Sequence, residues 1–187
     1  MPPHARAGSD GRGHRFAAYA QCSMDAGGSV RVAFDLDGTL IPVGRQFQTE
    51  PPARRVLGVL ANERLRAGAG SLLRELVAEG HEVWVYTTSL RPEWQIRLLF
   101  RAYGVRLSGV VNQGVHDEWH GQGGGMSPSK FPPAFGIDLL VDDSCGVAAE
   151  GQEHGFHVLV VSPSDESWAN EVRTACRGNG GRHRTSA

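Results

Sequence analysis

Short, continuous apolar runs alternate with amphipathic stretches along the middle of the chain. VRVAFDL (30–36), HEVWVYT (81–87), LSGVVNQ (107–113), IDLLVDD (137–143) and HVLVVS (157–162) are the runs, and four of them begin one or two residues after a glycine. Unbroken rather than alternating apolar character predicts strands buried on both faces. Between them, 71–79 puts Leu72, Leu73, Leu76 and Val77 on one stripe and stops at Gly80, a natural residue just past a helix end. Residues 92–103, 145–154 and 165–176 are predicted as further helices. Strand, helix, strand repeated in this way predicts an α/β sandwich around a mainly parallel sheet with right-handed crossovers. The stretch 38–70 breaks the rhythm and carries no clear strand–helix unit. Residues 1–29 read as a disordered leader with at most a short helix around 16–22, and 177–187 as a disordered tail, leaving 30–176 as one domain.

Composition narrows the function classes. A chain of 187 residues, 40% hydrophobic and 21% charged, fits one soluble domain with a single core. A net charge of −1 gives no broad footprint for nucleic acid, and no apolar run approaches the roughly 20 residues that span a bilayer. The N-terminus lacks a signal-peptide pattern. Cys22, Cys145 and Cys176 are scattered without metal-site spacing, so a reducing cytoplasm is the expected compartment. Of 19 basic residues, only Lys130 is a lysine.

In an open parallel sheet, ligands bind beyond the carboxyl ends of the strands. The predicted strands deliver Asp35 and Asp37, then Thr87, then Asp142 and Asp143 to that edge. Carboxylates gathered in one place require a compensating cation, and an all-oxygen set points to Mg2+ rather than zinc.

Read in order, DLDGT (35–39), Thr87 closing VWVYT, Lys130, and LLVDD (139–143) resemble the four motifs of the haloacid-dehalogenase (HAD) superfamily, over about 30–161. The resemblance implies an HAD-like Rossmannoid three-layer sandwich and a magnesium-dependent phosphomonoester hydrolase working through an aspartyl-phosphate. It makes Asp35 the nucleophile, Asp37 the general acid and base, Thr87 a phosphoryl hydrogen-bond donor, and Lys130 a clamp on the negative charges. The metal set it implies is Asp35, the main-chain carbonyl of Asp37, and Asp142, with Asp143 acting through water. A compact ammonium can reach several oxygens from one point where a planar guanidinium cannot, which suits the one lysine to this place. Asp37 separates a phosphatase from the dehalogenases, which need no second acid because halide leaves without a proton. Response-regulator receivers use similar residues, but there an acidic pair comes first and the lysine last. The alternatives left open are an HAD-type phosphotransferase and a non-catalytic HAD-like binding module.

The insertions after motif I (about 40–65) and before Lys130 (107–129) are too short for a cap domain, so the site should be open to a phosphorylated small molecule or macromolecule. TTSLRPEWQIRLLFRAYGV after motif II is similar to the small C-terminal-domain phosphatases. Those carry Glu where this chain has Gly38, and Asn where it has Asp143. Of the remaining features, His116 and His120 in HDEWH are expected in a solvated loop that runs on through the Gly-rich 121–125. His154 and His157 are expected to be structural or exposed, Trp84 and Trp94 in the core, and Arg91 on the surface or against substrate. Residues 1–23 are expected to be a dispensable leader, with Met24 a candidate start.

Overall fold

The computed structural model describes residues 28–52, 63–121 and 128–179. The readings of the leader, of Met24, of the glycines at 123–125 and of the tail beyond 179 lie outside them. Five strands form one sheet: β1 (Arg31–Phe34), β2 (Glu82–Tyr86), β3 (Gly109–Val111), β4 (Leu139–Asp142) and β5 (Val158–Val160). Their order is β3-β2-β1-β4-β5, with every neighbouring pair parallel. The five helices among the described residues are α1 (Ala69–Ala78), α2 (Glu93–Ala102), α3 (Gln113–His120), α4 (Cys145–His154) and α5 (Trp168–Asn179). This is the predicted α/β architecture. None of these helices is long and apolar enough to cross a membrane.

The alternation of side chains along each strand sorts the core into two layers. Val32 and Phe34 of β1, Val83 and Val85 of β2, and Val141 of β4 meet α1, α2 and α5 through residues such as Leu73, Phe100 and Val172. Ala33, Trp84, Tyr86, Val111 and Leu140 form the other layer with Phe135 and Val147, joined by Val115 and Trp119 of α3. Each fully buried side chain of this size stabilises the fold by about 1.5–3 kcal/mol. Trp84 lies across the neighbouring strand: a Cβ on Gly109 would stand 2.2 Å from its ring, so only glycine fits there.

Two buried arginines fasten the ends of the sheet. Arg31 donates to Glu82 (2.9 Å) and to the Phe135 carbonyl (2.7 Å), with its guanidinium over the Trp84 ring. Arg66 lies between the rings of Phe47 and Trp168 and donates to the carbonyls of Ser162 and Asp165. Among the described residues of the 38–70 stretch, an antiparallel bridge joins Thr49 to Arg66. The Arg66 contacts tie the segment after β1 to the loop that follows β5.

Several expectations are corrected. HDEWH is not a solvated loop: it belongs to α3, whose start is capped by Asn112 accepting from the Val115 amide, and His116 is buried. Trp94 is 62% exposed, because the buried stripe of α2 is Ile96, Leu99 and Phe100 and Trp94 falls outside it. Trp84 is buried and His154 and His157 are exposed, as expected. Residues 177–179, placed with the tail by sequence, continue α5.

Candidate functional site

Strand β1 hands over to the site at Asp35, whose amide still donates to the Val141 carbonyl of β4 at 2.8 Å. The chain then turns tightly: the amides of Leu40 and Ile41 return to the Leu36 carbonyl, and the Gly38 amide donates to that of Ile41. Gly38 adopts φ +95°, the left-handed region where glycine is preferred. On the adjacent strand, β4 ends at Asp142, and Asp143 follows it. Asp35, Asp142 and Asp143 each offer an oxygen, all within 4.8 Å of one another.

Lys130 bridges this cluster. Its Nζ donates to Asp35 Oδ1 and to Asp142 Oδ2, both at 2.6 Å, with all three side chains almost wholly buried. Burial opposes the charge on Lys130, but Asp35 and Asp142 outweigh it and hold the ammonium more firmly protonated than usual. Burial pushes the Asp35 carboxyl up to about 6, with Lys130 pulling the other way and Asp142 adding to the rise. The second oxygen of Asp142 accepts from the Ser144 amide at 2.9 Å. Asp143 Oδ1 accepts from the Thr39 hydroxyl at 3.0 Å.

Thr87 follows β2 and is buried. Its amide donates to the Val111 carbonyl, and its Oγ1 accepts from the Ser89 amide at 3.0 Å, which leaves the hydroxyl proton to donate elsewhere. The sequence-selected Asp35, Lys130, Asp142 and Asp143 therefore form one contact group, and Thr87 stands at the same edge of the sheet.

Asp37 is set apart from the acidic cluster. Its Oδ2 accepts from Arg91 Nη1 at 2.6 Å. Arg91 in turn donates through Nε and Nη2 to Glu63, and through its amide and Nη1 to the Ser89 hydroxyl. Asp37 and then Glu63 hold the guanidinium more firmly protonated. Arg91 was expected on the surface or against substrate; its direct partner is the second aspartate of DLDGT. No sequence signal marked Glu63.

A second arrangement missed by sequence supports Lys130 from behind. The Phe131 amide donates to Tyr86 Oη at 2.9 Å, and Tyr86 Oη lies 2.6 Å from His116 Nδ1. Among the described residues Tyr86 Oη has no acceptor for its proton other than Nδ1, which assigns that proton to Nδ1 and the proton of a neutral His116 to Nε2. Burial keeps the Tyr86 hydroxyl protonated and holds the His116 imidazole toward its neutral form.

An open cleft of about 1080 Å³ includes Asp37 and is lined by the 41–49 segment together with Glu63, Arg64 and Arg91.

No protein-family profile and no curated protein matches the chain. Solved structures do. The structural neighbours include an HAD-like hydrolase. That protein, assigned to the HAD-like family and from Porphyromonas gingivalis, is 13% identical with a TM-score of 0.45, over 79% of this chain and 98% of its own. A chain of the Pnkp1/Rnl/Hen1 complex is 15% identical with a TM-score of 0.45, over 73% of this chain and 47% of its own. A protein from Vibrio cholerae assigned as a 3-deoxy-D-manno-octulosonate 8-phosphate phosphatase is 15% identical with a TM-score of 0.42, over 88% and 90%.

Proposed function

We propose that the chain is a phosphomonoester hydrolase of the HAD type, with Asp35 as nucleophile. The observation that carries this reading is the separation of two aspartates two residues apart. Asp35 is buried in an acidic cluster with one lysine across it, whereas Asp37 faces the cleft outside that cluster. Phosphoryl transfer needs both: a fixed, charge-compensated nucleophile and an acid beside the leaving group.

In the first step an Asp35 oxygen bonds to phosphorus, the bond from phosphorus to the ester oxygen breaks, and Asp37 gives its proton to the departing alkoxide. In the second, Asp37 takes a proton from water, the water oxygen attacks phosphorus, and the acyl-phosphate bond to Asp35 breaks. Phosphate leaves and both aspartates return to their starting state. Thr87 donates to a phosphoryl oxygen. Lys130 offsets the charge that Asp35 brings toward the phosphate, and Arg91 fixes the orientation of Asp37 at the cleft.

The donor set fits Mg2+: three carboxylates converge with only oxygen donors, and among the described residues no thiolate or imidazole joins them. Asp35, Asp142 and the main-chain carbonyl of Asp37 would hold the ion, with Asp143 acting through water. When bound, the ion supplies positive charge to the phosphoryl oxygens.

The test is hydrolysis of p-nitrophenyl phosphate by the full chain. Turnover is expected with Mg2+ and is expected to stop in excess EDTA and return on adding Mg2+ back. Turnover that continues undiminished in the chelator would remove the metal from the reading.

A further inference from the structure

The walls of the cleft bear on what kind of phosphomonoester fits. Three guanidiniums, Arg45, Arg64 and Arg91, and two carboxylates, Asp37 and Glu63, line it. Both carboxylates are taken up by the same cation, Arg91. Arg45 and Arg64 are exposed, and among the described residues neither makes an ion pair or a hydrogen bond. Both line the same cleft, Arg45 from the segment after β1 and Arg64 from the position next to Glu63. Among the described lining residues the unspent charge is therefore positive, and it lies outside the acidic cluster, where the reacting phosphate would sit.

A phosphate alone does not use these two groups, because Lys130 already meets the charge near Asp35 and Arg91 is occupied. The exposed Val43 and its neighbour Pro42 give the same cleft an apolar surface, suited to a short carbon skeleton.

We propose that the substrate is a small phosphomonoester whose alcohol portion carries a second anionic group, recognised by Arg45 and Arg64. This rests on the phosphatase reading. Exposed arginines give modest selectivity, about three- to tenfold, and the selectivity should shrink with salt as the charges are screened.

The experiment compares matched pairs: 3-phosphoglycerate against glycerol 3-phosphate for a carboxylate, and fructose 1,6-bisphosphate against fructose 6-phosphate for a second phosphate. Wild-type kcat/KM is expected to favour the doubly anionic member of at least one pair by about threefold or more, and the pair that responds names the anion. The double variant Arg45→Gln/Arg64→Gln should lose that preference while hydrolysing p-nitrophenyl phosphate as fast as wild type. Calorimetric titration of the same four compounds into Asp35→Asn reads the preference without turnover. A calorimetric preference with no p-nitrophenyl phosphate hydrolysis by wild type would thus keep the anion site and sink the phosphatase reading. No preference in either pair, or a preference that survives the double variant, would overturn the proposal. So would a preference seen only with a 5′-phosphorylated oligonucleotide, which would point to a macromolecular substrate instead.

Discussion

Gly38 and Asp143 stand in contact beside the acidic cluster: a Cβ added to Gly38 would lie 2.6 Å from Asp143 Oδ2. These are the same two positions at which the chain departs from the small C-terminal-domain phosphatases it resembles. The two positions form one contact, and where the Asp143 carboxylate lies there is no room for a side chain at 38. Gly38→Ala should therefore lose stability twice, through the left-handed φ of +95°, at about 1–2 kcal/mol, and through the displaced carboxylate. Removing Asp143 relieves only the second. Thermal melts of Gly38→Ala, Asp143→Ala and the double variant should show the double losing less than the sum. Additive losses would mean that the contact does not constrain the turn.

Asp35→Asn should abolish turnover and leave the fold intact, because Lys130 keeps Asp142 as a partner at 2.6 Å. The pH dependence is a sharper check. With a folded pKa of about 6 against 3.8 for the free group, the native state binds the extra proton between those values. Stability from this group is then fully present below about pH 4 and lost as the pH rises through 6. In chelator, wild type should lose melting temperature over that interval relative to Asp35→Asn, which has no proton to lose. Parallel curves for the two proteins would contradict the burial argument.

How much of this was legible in the sequence depends on what each residue needs from its neighbours. Asp35, Asp142 and Asp143 follow apolar runs directly, so any reading that finds the strands also finds them at the ligand-binding edge. Lys130 stood out only through its motif order and its being the one lysine. Arg91 with Asp37, and Tyr86 with His116, are contacts across 54 and 30 residues, and no local pattern marks either. Tyr86 closes an apolar strand and reads as core, which it is, while its hydroxyl does separate work. Trp94 and HDEWH failed for opposite reasons. Apolar character was taken for burial where the helical stripe points elsewhere, and polar character was taken for exposure where Asn112 starts a helix that buries His116.

For Asp37→Asn, the proton for the leaving group is lost while the nucleophile remains. Alkyl phosphates, whose alkoxides leave poorly unless protonated, should suffer more than aryl phosphates. A comparison of kcat on glycerol 3-phosphate and p-nitrophenyl phosphate checks this, and an equal loss on both would assign Asp37 some role other than acid and base.

Lys130→Arg keeps the charge and changes its shape. Nζ reaches one oxygen on each of two aspartates from a single point inside a buried space, and a planar guanidinium needs a wider one. A fall in kcat of at least roughly tenfold is expected, about 1.4 kcal/mol in the barrier. Activity equal to wild type would show that any cation serves.

The last prediction concerns the support behind Lys130. The Phe131 amide, the Tyr86 hydroxyl and His116 Nδ1 form a buried chain of two hydrogen bonds, and the residue next to Phe131 is the lysine itself. Tyr86→Phe leaves that amide without its acceptor, at a cost of about 1–3 kcal/mol, and frees the loop that carries Lys130, so kcat should fall although no atom of Tyr86 touches the acidic cluster. A merely structural loss would lower the melting temperature and spare kcat of the folded fraction. The pH response separates the two bonds. Burial holds the His116 pKa below 6.5, with Asp117 and Glu150 acting to raise it and His120 to lower it. The unfolded chain therefore binds the proton first as the pH falls below about 6.5, and the stability gained from neutral His116 is lost from there downward. In Tyr86→Phe the imidazole no longer has a hydroxyl proton directed at Nδ1, so protonation costs less and the decline should be shallower than in wild type. Melting curves of the two proteins from pH 8 to pH 5 measure this difference directly. Equal slopes would mean that Tyr86 does not hold the neutral tautomer, and that the loop carrying Lys130 is positioned by the stacking of Trp119 on Phe131.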